Sequence, residues 1–204
     1  RSSEEVRLSQ IKITPTMTDG TLVINPTIPP KGGKSKDGVD FFVQAGQKPG
    51  AIDIETGYGD VNIVTPHASS SIDSGYGDIA VHGSVGSASI NTGYGDVSAE
   101  HIHGPVAINS GYGDLDVSLP AAAVGGVRLS TGYGDVTLIS LSLPEGPMSF
   151  ATGYGDVSLS DHLRRSERAI TQTKRAATIA GNPDHPAWSV STGYGDIDAR
   201  VSAP

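Results

Sequence analysis

From residue 51 onward, apolar and polar residues alternate in short runs, and the runs themselves recur. Set in register on a recurring Asp as position zero, position +1 reads Val61, Ile79, Val97, Leu115, Val136, Val157 and Ile197. Position +3 reads Ile63, Val81, Ala99, Val117, Leu138, Leu159 and Ala199, and position −6 reads Ile54, Ile72, Ile90, Ile108, Leu129, Phe150 and Val190. Position −8 is looser, running from Ile52 through Ser70 to Trp188, while +2 and −5 are mostly small or polar. Apolar residues at a period of two mark half-buried strands. Each unit therefore predicts two short strands on either side of a turn. A second reversal lies between units, at Pro66, Gly83, Gly104-Pro105, Pro120 and Gly146-Pro147.

The turn is nearly invariant. Gly-Tyr-Gly-Asp occurs seven times, with Tyr at 58, 76, 94, 112, 133, 154 and 194, at spacings of 18, 18, 18, 21, 21 and 40. Two strands and two turns cannot bury an apolar face alone, but stacked units can, each strand pairing with its equivalent about 4.8 Å away. An antiparallel meander would run equivalent segments in opposite directions and leaves the identical turn unexplained. The expectation is an all-β fold, a single-stranded β-solenoid with about 18–21 residues and two short strands per coil.

Two regions depart from the repeat. Residues 1–38 hold strand-like runs, Val6–Thr14 and Thr21–Asn25, then a basic, Gly-rich loop, Pro29–Gly38, and read as a cap or an inter-subunit arm. The solenoid is expected over 39–204, with Val39–Ala45 opening its first coil. The 40-residue gap is close to two units, and a hidden zero at Ala176 places Ile170, Ala177 and Ile179 at −6, +1 and +3. This predicts a degenerate coil near 161–182 with a basic loop at Asp161–Arg168; a helix over Asp161–Ala177, capped by Ser160, is the competing reading. Gly33-Lys34-Ser35 lacks the upstream Gly of a phosphate-binding loop, since Ile28 stands there.

Composition narrows the function classes. With 27 Gly and 13 Pro in 204 residues and few aromatics, the chain suits a turn-rich β structure with a thin core. The net charge is −8, and seven of those charges are the repeat Asp residues, so without them the balance is −1. Acidity spread along a repeat argues against nucleic acid as a partner. No run approaches the roughly 18 apolar residues of a membrane span, and there is no Cys for disulfides or thiolate metal sites. The chain starts at Arg1 rather than Met, which is expected of a processed or trimmed product.

The motif columns are the candidate sites. Gly on both sides of Tyr suits a tight turn and close coil-to-coil approach. Tyr58, Tyr76, Tyr94, Tyr112, Tyr133, Tyr154 and Tyr194 form a candidate stacking ladder, partly exposed at an edge, that would stiffen the stack or bind a glycan or protein. Asp60, Asp78, Asp96, Asp114, Asp135, Asp156 and Asp196 form a second column. Carboxylates 4.8 Å apart repel by about 0.9 kcal/mol in water, so the row needs turn N–H groups or a cation such as Ca²⁺, whose six to eight oxygen ligands this spacing supplies poorly. Thr or Ser fills position −4 throughout, and an exposed Thr array of the ice-binding kind is a weaker reading. His82, His101 and His103 fall near one another and are a candidate for zinc or copper. No cofactor is required.

Thr-Gly-Tyr-Gly-Asp-Val resembles the S/T-G-x-G-D-I/V segments of a bacterial adhesin family of β-solenoids, over residues 51–200. This chain differs in its Tyr, its N-terminal segment and its basic insertion. The resemblance implies exposure at the cell surface and adhesion, and it carries over no catalytic residue. The last motif ends at Asp196 with only Pro204 left to cover the final strand, so an open edge is expected there. The leading expectation is a non-enzymatic structural or adhesive protein, at the cell surface or extracellular, self-associating end to end and forming filaments. The alternative is a monomeric module binding glycans through Tyr or Ca²⁺ through Asp. A third reading is an enzyme built around Asp161, His162, Asp184 and His185.

Overall fold

The structure is a computed structural model that describes residues 12–18, 21–27, 40–43, 51–67, 69–84, 86–121, 123 and 125–202. The solenoid is present, and its coils are the sequence units. The first coil is Ala51–Tyr58 with Val61–His67, the second Ser69–Tyr76 with Ile79–Ser84, and the third Ala88–Tyr94 with Val97–Glu100. The fourth is Val106–Tyr112 with Leu115–Leu119, the fifth Val127–Tyr133 with Val136–Ser140, and the sixth Met148–Tyr154 with Val157–Leu159. The last coil is Trp188–Tyr194 with Ile197–Val201. The first strands of all coils build one face, in an 11-stranded sheet, and the second strands build the other, in an 8-stranded sheet.

Neighbouring coils pair in parallel with equivalent residues opposite one another, as in Ile72↔Ile90 and Val81↔Ala99. The apolar columns therefore point inward. Ile54, Ile72, Ile90, Ile108, Leu129, Val190 and Phe150 are 0–2% exposed. Burying such a side chain contributes roughly 1.5–3 kcal/mol, and each relies on the coils above and below.

The N-terminal strands lengthen the stack instead of standing apart from it. Thr21–Thr27 pairs parallel to the first coil, and Phe41–Val43 pairs parallel to Val61–Ile63. Lys12–Thr18 then closes the first sheet antiparallel. Of the two roles expected for residues 1–38, a cap or an inter-subunit arm, the placement of Lys12–Thr18 and Thr21–Thr27 is that of a cap. The remainder of the expected Val6–Thr14 strand, before Lys12, and the loop at Pro29–Gly38 lie outside the described residues.

The region 161–182 is not a degenerate coil. It holds a four-residue helix, Asp161–Arg164, and a hairpin, Ile170–Gln172 with Ala176–Ile179, whose second strand runs antiparallel to Met148–Ala151. Ile170 faces Ile179 across the hairpin, and Ala177 and Ile179 are buried against the sixth coil. The alternation that suggested a coil is the alternation of this strand. A period of two gives the buried face and not the direction. The expected Ser160 cap also fails, since its side chain makes no cap hydrogen bond, and its Oγ instead accepts the N–H of Val201 at 3.1 Å.

Because the hairpin occupies the far edge of the sixth coil, the returning chain takes the near edge. The last coil lies between the fifth and sixth: Thr192 faces Thr131 on one side and Thr152 on the other. The second sheet repeats this, with Ile197 beside Val136 and Val157. The expected open C-terminal edge is therefore absent; the final strand is interior.

Placement at the interior has an energetic consequence. Ile197→Ala, seven residues before the last residue of the sequence, is expected to cost about 2–5 kcal/mol, as much as Ile79→Ala in the second coil. Equilibrium chemical denaturation of the two variants checks this; a loss below about 1 kcal/mol at Ile197 alone would mean that the last coil frays.

Candidate functional site: the tyrosine and aspartate ladders

Each Gly-Tyr-Gly-Asp corner turns on its second glycine, with φ between +121° and +154° at Gly59, Gly77, Gly95, Gly113, Gly134, Gly155 and Gly195. Stacking adds a second demand. A Cβ on Gly93 would lie 2.7 Å from the carbonyl oxygen of Gly75, and one on Gly95 would lie 2.0 Å from that of Gly77. No side chain fits at either place, so both glycines are architectural.

The corner sets the tyrosines in one row. Centroids of adjacent rings are 4.7–4.9 Å apart and their planes are within 5° of parallel. The order is Tyr58, Tyr76, Tyr94, Tyr112, Tyr133, Tyr194, Tyr154, so the intercalated coil keeps the row unbroken through all seven rings. Tyr76 to Tyr194 are 38–61% exposed. What they expose follows from the stacking: inner rings cover one another's faces and present edges and hydroxyls. A pyranose packs on a ring face, so the ladder suits hydrogen-bonding and edge contacts better than sugar stacking.

The aspartates resolve their repulsion between coils and not within their own turn. In six of the seven, Asp156 excepted, Oδ1 accepts the backbone N–H of the Asp in the next coil, at 2.7–2.9 Å. The chain of bonds starts one step earlier than the repeat, since Asp40 Oδ1 accepts from Asp60 N–H. Asp40 was legible as Asp-apolar-x-apolar in Asp40-Phe41-Phe42-Val43, but without the glycines it did not stand out. With one oxygen committed, each carboxylate keeps one for solvent or a ligand. Among the described residues, no group of three acidic or His side chains converges on a metal position.

One end of both ladders is capped by the hairpin turn. Asp156 has no further coil to donate to it, and Lys174 Nζ lies 3.1 Å from its Oδ1. The guanidinium of Arg175 sits 5.5 Å from the centroid of the terminal Tyr154 ring, in cation–π range. The backbone joins in: Thr152 N–H donates to Arg175 O and Val157 N–H to Lys174 O. The basic insertion therefore neutralises and covers the ladder end.

The remaining columns are structural. The hydroxyl row at −4 is buried at 3–8% exposure, which removes the exposed Thr array. Thr131, Thr192 and Thr152 donate to glycine carbonyls of the adjacent coil at 2.8–3.0 Å, whereas Ser74 and Ser110 leave their Oγ unpaired. The histidines go separate ways: His82 pairs with Glu100 at 3.1 Å, His103 Nδ1 meets Ser84 O at 3.3 Å, and exposed His101 takes φ +57°. His185 turns to Glu145 at 2.9 Å, Asp161 opens the short helix, and the backbone N–H of Asp184 donates to Asn182 Oδ1. Near His185 a cavity of about 510 Å³ opens between the loops of the fifth, sixth and last coils, beside Trp188, whose Nε1 donates to Gly125 O. Asp198 holds the Arg200 guanidinium more firmly protonated than usual through its hydrogen bonds and charge.

Residues 48–147 match the family model described as Toastrack DUF4097. That span holds the first five coils and stops before the sixth coil, the hairpin and the last coil. No curated protein and no solved structure matches the chain.

Two predictions follow the corner geometry. Gly93→Ala forces the coils apart and is expected to lower the melting temperature sharply, while Gly57→Ala, which meets nothing within 4 Å, leaves it nearly unchanged; thermal melts by circular dichroism compare them. Asp96→Asn keeps the acceptor for Asp114 N–H and removes a like charge, so stability holds or rises; Asp96→Ala loses that exposed bond and costs about 0.5–1.5 kcal/mol. Equal losses in urea titrations of the two variants would contradict the ladder's role.

Proposed function

We propose that this chain is a non-enzymatic structural and adhesive rod, working at the cell surface or outside the cell, with the tyrosine–aspartate edge as its contact face. The observation that carries this reading is the unbroken row of seven stacked tyrosines, whose exposed edges are held rigid by the corners beneath. Aromatic side chains fixed in advance lose little entropy on docking, which favours them as contact residues. Seven hydroxyls and seven half-free carboxylates at the coil spacing suit an extended partner with polar hydrogen-bonding groups. The resemblance of the Gly-x-Gly-Asp segments to bacterial adhesin repeats supports the surface setting.

Self-association is part of this reading, with its route revised. Stacking ends into filaments requires two open ends, and here the hairpin covers one of them. At the other, Phe41–Val43 is the outermost strand of its sheet among the described residues, and Phe42 is 68% exposed. Joining two such ends makes a closed pair, not a filament. Side-on contact through the edge therefore fits the geometry better. Calcium binding through the aspartates and glycan binding through the tyrosines are weaker, because one oxygen of each carboxylate is committed and the inner ring faces are covered.

Beads coated with the full chain test the reading, scored for clustering with one another and for capture on a glycan array, with and without Ca²⁺. The comparison is Tyr94→Glu/Tyr112→Glu/Tyr133→Glu, with its melting curve measured alongside. Clustering or capture that falls at least about tenfold in a still-folded triple variant supports the edge as contact face. Wild-type beads that bind nothing, or a variant that binds equally well, would refute it.

A further inference from the structure

The fifth and sixth coils are consecutive in sequence but not in space. The last coil fills a slot one coil deep between them, with Tyr194 stacked at 4.7 Å on both Tyr133 and Tyr154. It bonds on both sides. Gly134 and Val136 of the fifth coil donate to Tyr194 O and Asp196 O, and Gly195 and Ile197 of the last coil donate to Tyr154 O and Asp156 O. The register is Thr to Thr and Tyr to Tyr on each side, as at every other junction. Removing this coil would leave two facing rows of unpaired strand groups. No other slot of this kind lies between sequence neighbours in the described stack.

The loop corner is cut to admit the segment that leads into this coil, and Trp188 seats the coil itself. At the loop corner a Cβ on Gly146 would lie 2.1 Å from Pro186 O, and one on Gly181 would lie 2.3 Å from Gly146. Trp188 is 5% exposed and donates to Gly125 O across the fifth-coil junction. The tether is exposed but anchored at a few points: Asn182 N–H donates to Glu145 O, His185 lies 2.9 Å from Glu145, and Ala187 O accepts from Val127 N–H. Residues 180–187 carry Pro183 and Pro186 and are mostly exposed. The tether's two ends straddle a single residue, since Ile179 and Trp188 both pair with Met148 from opposite sides. The strand bonds on both sides hold the last coil, and the tether's few contacts are what exchange would have to break and remake.

We propose that this slot is an exchange site: it accepts the last coil, residues 188–201, of a second copy of this chain, giving a reciprocal, two-fold dimer. Every bond in the slot is kept when the coils are exchanged, and only the tether changes path. The short tether gives the chain's own coil an effective concentration of about millimolar. The closed monomer therefore prevails in dilute solution, and the exchanged dimer forms when folding takes place at high concentration. This route is independent of the tyrosine edge, and the two fail separately.

Because the chain has no cysteine, disulfide trapping is unambiguous. Ser130 and Ser191 face each other across the fifth-coil junction, with Oγ atoms 3.4 Å apart. The full-length double variant Ser130→Cys/Ser191→Cys, refolded dilute and oxidised, should form an intrachain bond and run as a monomer. Single variants Ser130→Cys and Ser191→Cys, unfolded together, refolded together and oxidised, should give a 130–191 bond between unlike chains, identified by peptide mapping. Its yield should rise roughly in proportion to refolding concentration below about millimolar. The pair Arg128→Cys and Ser189→Cys, opposite each other and exposed, repeats the test should the first pair misfold. An intrachain bond in the double variant with no mixed 130–191 or 128–189 bond at any concentration would overturn exchange. Absence of the intrachain bond in both pairs would overturn the slot itself.

Discussion

Consecutive corners in this stack approach so closely that a Cβ on the second motif glycine would lie 2.0–2.2 Å from the carbonyl oxygen of the glycine below. That approach, together with the left-handed φ of the same residue, fixes glycine at that position of the corner. With the corners held in contact, the strands fall at hydrogen-bonding distance and the tyrosines at 4.7–4.9 Å. The carboxylates come within reach of the next coil's N–H. The inward Ile and Val columns supply the burial, but the glycines set the rise per coil on which every ladder depends.

A repeat this uniform has a weakness. Each coil fits each other coil, so the stack needs separate devices to stop it and to set its order. The hairpin stops it by running antiparallel, which removes an edge that would accept another parallel coil. Its turn also brings Lys174 to the unpaired Asp156 and Arg175 to the uncovered Tyr154, closing the charge row and the aromatic row together. Order is set by the loop corners, where Gly126, Gly146 and Gly181 give clearance for the segment entering the last coil. The family match over residues 48–147 ends before the hairpin and the last coil.

What the sequence made legible was local and periodic. The alternation at +1, +3 and −6 gave both strands of every coil, their inward faces and the parallel register, because equal spacing and an identical turn leave little else. The tyrosine row and its edge position were legible for the same reason. Direction and order were not. Ile170, Ala177 and Ile179 satisfy the spacing of a coil and of an antiparallel hairpin equally, and nothing in Trp188–Val201 distinguishes a coil at the end from one in the middle. The aspartate bonds were half legible: a need for N–H donors follows from repulsion, but the donor's place in the next coil follows only from the stacked corner. Asp40 was hidden because it does the same work without glycines.

The non-sequential order is the claim from which the most follows: it places the final strand inside the sheet and completes the tyrosine row to seven rings. Cross-strand nuclear Overhauser effects in the labelled full-length protein test it most directly. The account predicts that backbone protons of Thr192 contact those of both Thr131 and Thr152, with none between Thr131 and Thr152. Direct contacts from Thr131 to Thr152, with Thr192 touching only one of them, would contradict it.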